Sequence, residues 1–250
     1  MLVLFGDSFI SEPDNPADPK TSNHSTWFKL LADDLGIEYK TYGASGSSFE
    51  YSTLKFFEYL TGDSYDPNDQ IIFVLTADNR SPIVAEEFVP KWAALTHSKV
   101  FSDHYDAASR QQLAKLTDSD EHYTRFKNFY KDWFLLKNQD LILAQRYMLL
   151  QTLHSLPNKT VSISVNDSED SVAKHFPKHA TFSLWQISTD EISDGGIWEY
   201  VKKHGSQDHR LNHLHEKNHY VLKDAVYSYL TDDCLDFNPQ SFHKNLFSVK

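Results

Sequence analysis

The sequence of 250 residues contains one cysteine, Cys234, so it forms no internal disulfide and has no thiolate pair for a structural metal site. Nothing in it depends on an oxidising compartment, and a cytoplasmic setting is the expectation. Long hydrophobic runs are missing too: none approaches the roughly eighteen apolar residues of a membrane span. The apolar N-terminal stretch is too short for a signal peptide and lacks a basic leader, so neither a membrane span nor an export address is expected. Positive charge is scarce. Against 35 Asp and Glu stand 24 Lys and Arg, a formal charge of −11 that argues against a general phosphate-backbone partner, so no nucleic acid is expected. No periodic repeat or low-complexity segment occurs. A chain of this length can bury one large core, and a single domain over residues 1–250 is expected.

Aromatic residues are plentiful, at 14 % of the chain. They can fill a core and still leave rings for a binding groove. The first ten residues, Met1-Leu-Val-Leu-Phe-Gly-Asp-Ser-Phe-Ile10, form an apolar run that breaks at Gly6 and delivers Ser8. This pattern predicts a buried strand with a sharp exit that presents a hydroxyl at its carboxyl end, where open α/β sheets bind ligands. Residues 11–25 are polar and interrupted, a loop beside that site. Trp27, Leu30, Leu31 and Leu35 share one helical face, with Thr26 or Ser25 to cap the start and Gly36 to stop it. A short strand over 37–42 leads to Gly43-Ala-Ser-Gly46-Ser-Ser, followed by a helix over 49–60. Ile71-Ile-Phe-Val-Leu75 is the clearest buried strand, and Thr76-Ala-Asp-Asn-Arg80 follows it at once.

Strands alternating with helices predict an α/β fold with a parallel central sheet and helices on both faces. From 83 to 156 helical periodicity dominates and no good strand is evident, which predicts a helical insertion. Its most aromatic part, 126–156, includes Phe129, Tyr130, Trp133, Phe134, Leu141 and Tyr147 and is expected to pack as core, with a substrate groove as the alternative. Thr160-Val-Ser-Ile-Ser-Val165 alternates and returns the chain to the sheet. A further strand over 182–187, a short helix over 197–203 and a final helix over 216–230 complete the expectation. That last helix should turn Tyr220, Val221, Ala225, Val226 and Leu230 inward.

Ahead of it lies Asp208-His-Arg-Leu-Asn-His213-Leu-His-Glu-Lys-Asn-His219. A serine nucleophile needs an imidazole base and a group on the second ring nitrogen to fix the tautomer. His213 and Asp208 can fill those roles, because in a parallel sheet a loop before the C-terminal helix can reach the end of the first strand.

These blocks together resemble the SGNH, or GDSL-type, hydrolases. Gly6-Asp-Ser-Phe9 looks like the nucleophile block and Gly43-Ala-Ser-Gly46 like the glycine block. Asn79 looks like the side-chain oxyanion donor, and Asp208 and His213 with Asn218-His219 look like the acid and base block. The resemblance implies a three-layer flavodoxin-like sandwich and an acyl-enzyme mechanism without a cofactor. In it Ser8 attacks, His213 is the base, Asp208 orients it, and Ser8, Gly46 and Asn79 form the oxyanion hole. Two blocks depart from the family pattern: Thr76-Ala-Asp-Asn79 exchanges the usual order of amide and acid, and the acid precedes His213 by five residues rather than three. The implied substrate is a small-molecule or glycan ester, with an O-acetyl or other short acyl group on a carbohydrate favoured. Since the family includes phage proteins, a phage origin is compatible.

Two rival readings stand beside this one. Three histidines at 213, 215 and 219 near Glu216 could hold zinc, but no His-Glu-x-x-His match supports it and no metal is expected. A degraded, non-catalytic member that binds a glycan or protein through its aromatic surface, as a virion or assembly component, is the alternative in a different class.

Overall fold

The computed structural model describes residues 1–11, 26–44, 47–76, 80–82, 94–96, 120–136, 138–165, 175–184, 214, 216–234 and 237–243. Five strands form a parallel sheet: β1 (Leu2–Phe5), β2 (Tyr39–Thr41), β3 (Gln70–Leu75), β6 (Lys159–Ser164) and β7 (His179–Ser183), in the spatial order β2-β1-β3-β6-β7. Counting these strands alone, that order is 2-1-3-4-5, the doubly wound flavodoxin-like arrangement. The fold class read from the sequence is therefore the observed one.

Each strand sorts its side chains between two layers because successive residues point to opposite faces. Leu2, Leu4, Ile72, Val74, Val161 and Ile163 face one layer, where Trp27, Phe28, Leu31 and Ala32 of α1 (Trp27–Leu35) meet Leu222, Val226, Tyr229 and Leu230 of α5 (Glu216–Asp232). Val3, Phe5, Ile71, Phe73 and Leu75 face the other. There they pack on Phe49, Phe56 and Tyr59 of α2 (Phe49–Thr61) and on Leu149, Leu150 and Leu153 of α4 (Gln139–Ser155). Each of these buried side chains contributes about 1.5–3 kcal/mol relative to exposure, so losing the alternation in β1 or β3 would empty both layers.

The helix boundaries follow from local chemistry. Gly36, in the left-handed region at φ 64°, ends α1 and donates its N–H to the carbonyls of Ala32 and Asp33. Ser48 starts α2 by accepting the Tyr51 N–H at 3.3 Å, and Asn138 does the same for α4 through the Leu141 N–H at 3.1 Å. The buried face of α1 is centred on Phe28 and Ala32, with Leu30 and Leu35 only half-buried. In α5 Tyr220 is exposed and Leu222 is buried, a stripe rotated from the expected one.

Three further expectations are corrected. The segment 83–156 is not free of strands, since β5 (Ala94–Thr96) pairs antiparallel with β4 (Arg80–Pro82). Three residues pairing as a local hairpin carry too short a pattern to read as a strand. The aromatic stretch is two helices, α3 (Asp120–Leu136) and α4, and much of it is not core: Phe129, Trp133, Leu141 and Tyr147 are exposed, whereas Tyr130, Ile142, Leu149 and Leu150 are buried. α4 is the crossover helix between β3 and β6, so the insertion expected over 83–156 includes one element of the sandwich itself. The strand expected over 182–187 begins earlier, at His179, because the polar His179 pairs with Ser162 and is buried. The helix expected over 197–203 lies outside the described residues. No described helix is long and apolar enough to cross a membrane.

Candidate functional site

β1 lies between β2 and β3, so consecutive crossovers leave it in opposite directions and open a crevice at its carboxyl end. The chain leaves β1 through Gly6, at φ 154°, where an added Cβ would sit 2.8 Å from the Val74 carbonyl oxygen and 2.9 Å from Val74 Cβ. No side chain fits there, and only glycine takes that backbone angle readily. The turn is then fixed by its own groups. Asp7, fully buried, accepts the Phe9 N–H on Oδ1 at 3.2 Å, the Ile10 N–H bonds the Asp7 carbonyl at 3.2 Å, and the Ser11 hydroxyl donates to the Ser8 carbonyl at 3.3 Å. Ser8 lies within this turn and is buried, 5 % exposed, where the sequence pattern predicts an exposed hydroxyl.

The described part of the glycine block presses against the same turn. A Cβ on Gly43 would lie 2.7 Å from Ile10 Cγ1 and 2.8 Å from the Ile10 carbonyl carbon and the Ser11 nitrogen. Thr41 ties the two segments, its hydroxyl donating to the Ile10 carbonyl while accepting the Gly43 N–H at 3.0 Å. The Ser47 hydroxyl donates to the Gly6 carbonyl at 3.3 Å. Gly43 and Ser47 therefore lie against the Gly6–Ser11 turn.

At the end of β3 stands a residue that the sequence reading missed. Arg146 of α4 is 1 % exposed, donates Nη2 to the Thr76 carbonyl, and lies 5.2 Å from the Phe49 ring centre. It thus joins the residue that follows β3 to the residue that begins α2. Its signal was legible: Arg146 falls four residues after Ile142 and three before Leu149, inside the buried stripe of its helix.

The distal block is anchored on the other layer. Leu214, the residue after His213, is buried in the cluster that contains Phe9 and Ile10, the residues after Ser8. His219 on α5 accepts the Trp27 N–H on Nδ1 at 3.1 Å, and Trp27 Nε1 donates to the Phe9 carbonyl at 3.1 Å. Thr26, the expected cap, makes no side-chain capping bond. His219 is thus committed to capping α1, against its use with His213 and His215 as a metal ligand. Asn218 pairs with the backbone of His243 on both sides, donating Nδ2 to its carbonyl at 3.0 Å and accepting its N–H at 2.8 Å. Asn79, Gly46, Asp208, His213 and His215 lie outside the described residues.

An apolar groove of about 540 Å³ between α2 and α4 is lined by residues including Phe49, Leu54, Phe57 and Met148. None of its described lining residues comes from the Gly6–Ser11 turn, so it lies apart from Ser8.

No family model and no curated protein matches the chain. Among solved structures it is similar to a member of the lipolytic protein G-D-S-L family from Veillonella parvula, at 10 % identity over 92 % of this chain and 96 % of that chain, with a TM-score of 0.39. The sheet order, rather than a likeness at that score, establishes the fold.

Proposed function

We propose that the protein is a serine hydrolase that cleaves a carboxylic ester through an acyl-enzyme formed on Ser8. The observation that carries this reading is the convergence at the carboxyl end of β1. Ser8 lies within a turn held by Asp7, Gly43 and Ser47 pack on that turn, and Leu214, next in sequence to His213, shares its buried cluster with Phe9 and Ile10. In the mechanism His213 takes the Ser8 proton as the hydroxyl attacks the acyl carbon, and Asp208 holds the imidazolium. The amides of Ser8 and Gly46 with the Asn79 side chain receive the oxyanion, His213 passes its proton to the departing alcohol, and water activated by His213 then cleaves the acyl-enzyme to the carboxylic acid and free Ser8. No cofactor enters.

A carbohydrate carrying an O-acetyl or other short acyl group is the substrate class we favour. Phe129 and Trp133 on α3 are exposed and stack with ring centres 6.3 Å apart, a surface suited to sugar rings. The same pair supports the second reading, a binding protein without turnover. Labelling with a fluorophosphonate probe, followed by mapping of the modified peptide, separates the two. The hydrolase reading expects stoichiometric label on Ser8, lost in Ser8→Ala together with esterase activity on short-chain aryl and acetylated sugar esters. Folded protein that takes no label and binds an acetylated glycan equally well with and without Ser8→Ala leaves only the binding function.

A further inference from the structure

On β6 the face toward α4 is polar where its neighbours are apolar: Thr160 and Ser162 stand in register with Ile71 and Phe73 of β3. Two histidines fill the space above it. His154, from the last turn of α4, places Nδ1 at 3.3 Å from the Thr160 hydroxyl and Nε2 at 3.1 Å from the Ser162 hydroxyl. His179, the first residue of β7, places Nδ1 at 2.8 Å from the same Ser162 oxygen. One hydroxyl therefore bridges two imidazoles from different elements, and its single proton serves one of them. With both rings neutral the chain closes in one direction: Thr160 donates to His154 Nδ1, His154 Nε2–H donates to Ser162, and Ser162 donates to His179 Nδ1. The reverse direction satisfies it equally.

We infer that His154, Ser162 and His179 form an acid-sensitive latch that holds β7, the outermost of the described strands of the sheet, against β6 while both imidazoles are neutral and frees it when they take up protons. Among the described residues no acidic group compensates those protons. From the turn before β7, Lys178 adds a positive charge that acts on His154, and Phe176 stacks on the His154 ring at 5.5 Å; from β6 come the hydroxyls of Thr160 and Ser162; from β3 comes Phe73; and α4 adds Tyr147, whose ring lies against Phe176. Each histidine also opposes the charge of the other, and His179 is 4 % exposed. Burial, aided by Lys178, pushes His154 down to about 4, and burial with the neighbouring His154 pushes His179 down to about 3. A freed β7 returns both rings to their ordinary range near 6.5, so opening takes up protons throughout the interval below it.

The test is an NMR titration of the imidazole Cε1–H signals together with amide exchange of residues 180–183 at pH 7.5, 6, 5 and 4.5, corrected for intrinsic rates. The latch expects both rings to remain unprotonated at pH 5 in the closed state. It also expects the opening constant of β7 to rise about tenfold per pH unit for each proton taken up, up to about a hundredfold per unit for the pair. His154→Gln with His179→Gln removes that dependence. Titration of either ring near 6.5 in the folded protein, or β7 exchange that stays independent of pH after correction, overturns the latch. So does a folded double variant that keeps the wild-type pH dependence. Should the double variant fail to fold, the wild-type titration and exchange decide alone.

Discussion

The imidazole of His219, near the start of α5, receives the backbone N–H of Trp27, the first residue of α1, across 192 residues of sequence and at 3.1 Å. A helix N-terminus leaves its first N–H groups without intrahelical partners, and such groups are usually met by a nearby Ser, Thr, Asp or Asn. Here a ring from the neighbouring helix does it. Trp27 then passes the constraint to the Ser8 turn through its indole bond to the Phe9 carbonyl.

His219→Ala should leave that buried N–H unpaired and cost about 1–3 kcal/mol, read as a lowered urea midpoint. His219→Asn, whose amide oxygen can occupy a position similar to Nδ1, should recover part of the loss. Thr26 offers the control: its hydroxyl is buried without a hydrogen-bond partner among the described residues, so Thr26→Val should be neutral or stabilising rather than costing the ~1 kcal/mol of a lost cap. A Thr26→Val variant less stable than His219→Ala would refute this assignment of the cap.

Gly43→Ala tests how tightly the glycine block sits on the nucleophile turn. The new methyl would meet backbone atoms of Ile10 and Ser11 at 2.8 Å, which cannot give way as a flexible side chain does. Overpacking of this kind costs about 1–3 kcal/mol, and labelling of Ser8 should fall more steeply than stability because the strain is delivered to residues 10 and 11. Thermal unfolding and labelling rate, measured on one preparation, make the comparison.

Arg146→Met keeps the volume of the side chain and removes the guanidinium from the Thr76 carbonyl. A hydrogen bond from a charged donor is worth about 1.5–3 kcal/mol, so a comparable drop in unfolding free energy is expected. Arg146→Lys, which retains the charge but not the planar donor pair, should fall between. Equal stability of all three proteins would show that the buried arginine does not hold the end of β3.

Global stability should depend on pH through His154 and His179. Both are held below the unfolded value of 6.5, at about 4 and about 3, so the unfolded chain binds protons first as the pH falls. Their neutral, buried form costs nothing in stability above about pH 7, and stability is lost progressively as the pH drops from 6.5 toward the folded values. For the more deeply buried His179 the slope approaches about 1.4 kcal/mol per pH unit, with a smaller share from the partly exposed His154. Urea midpoints at pH 7.5, 6 and 5 for the wild type and His179→Gln measure it, the variant showing the shallower slope.

Much of the sheet was legible because its strands are short apolar runs, and a run buried on both faces needs no partner to be recognised. Ile71–Leu75 is the plainest case. The helix stop at Gly36 was equally local, since it rests on groups within a few residues, and the helix expected from residue 49 starts there, with Ser48 as its cap. The aromatic stretch was misread in part because an exposed Phe129 and a buried Tyr130 look alike in composition. Which of them faces the core depends on what packs beside α3.

By itself, the sequence determined the alternating elements, the break at Gly6 that puts Ser8 after the first strand, and the excess of acid, because periodicity, glycine conformation and net charge act over a few residues or over the whole sum. Only the tertiary structure decided that Gly43 lies against the backbone of Ile10, that Arg146 reaches the end of β3, that His219 caps α1, and that two histidines share one serine hydroxyl. Each joins residues far apart in sequence, and packing of helices on the sheet, which no local pattern encodes, brings them within hydrogen-bond distance or contact.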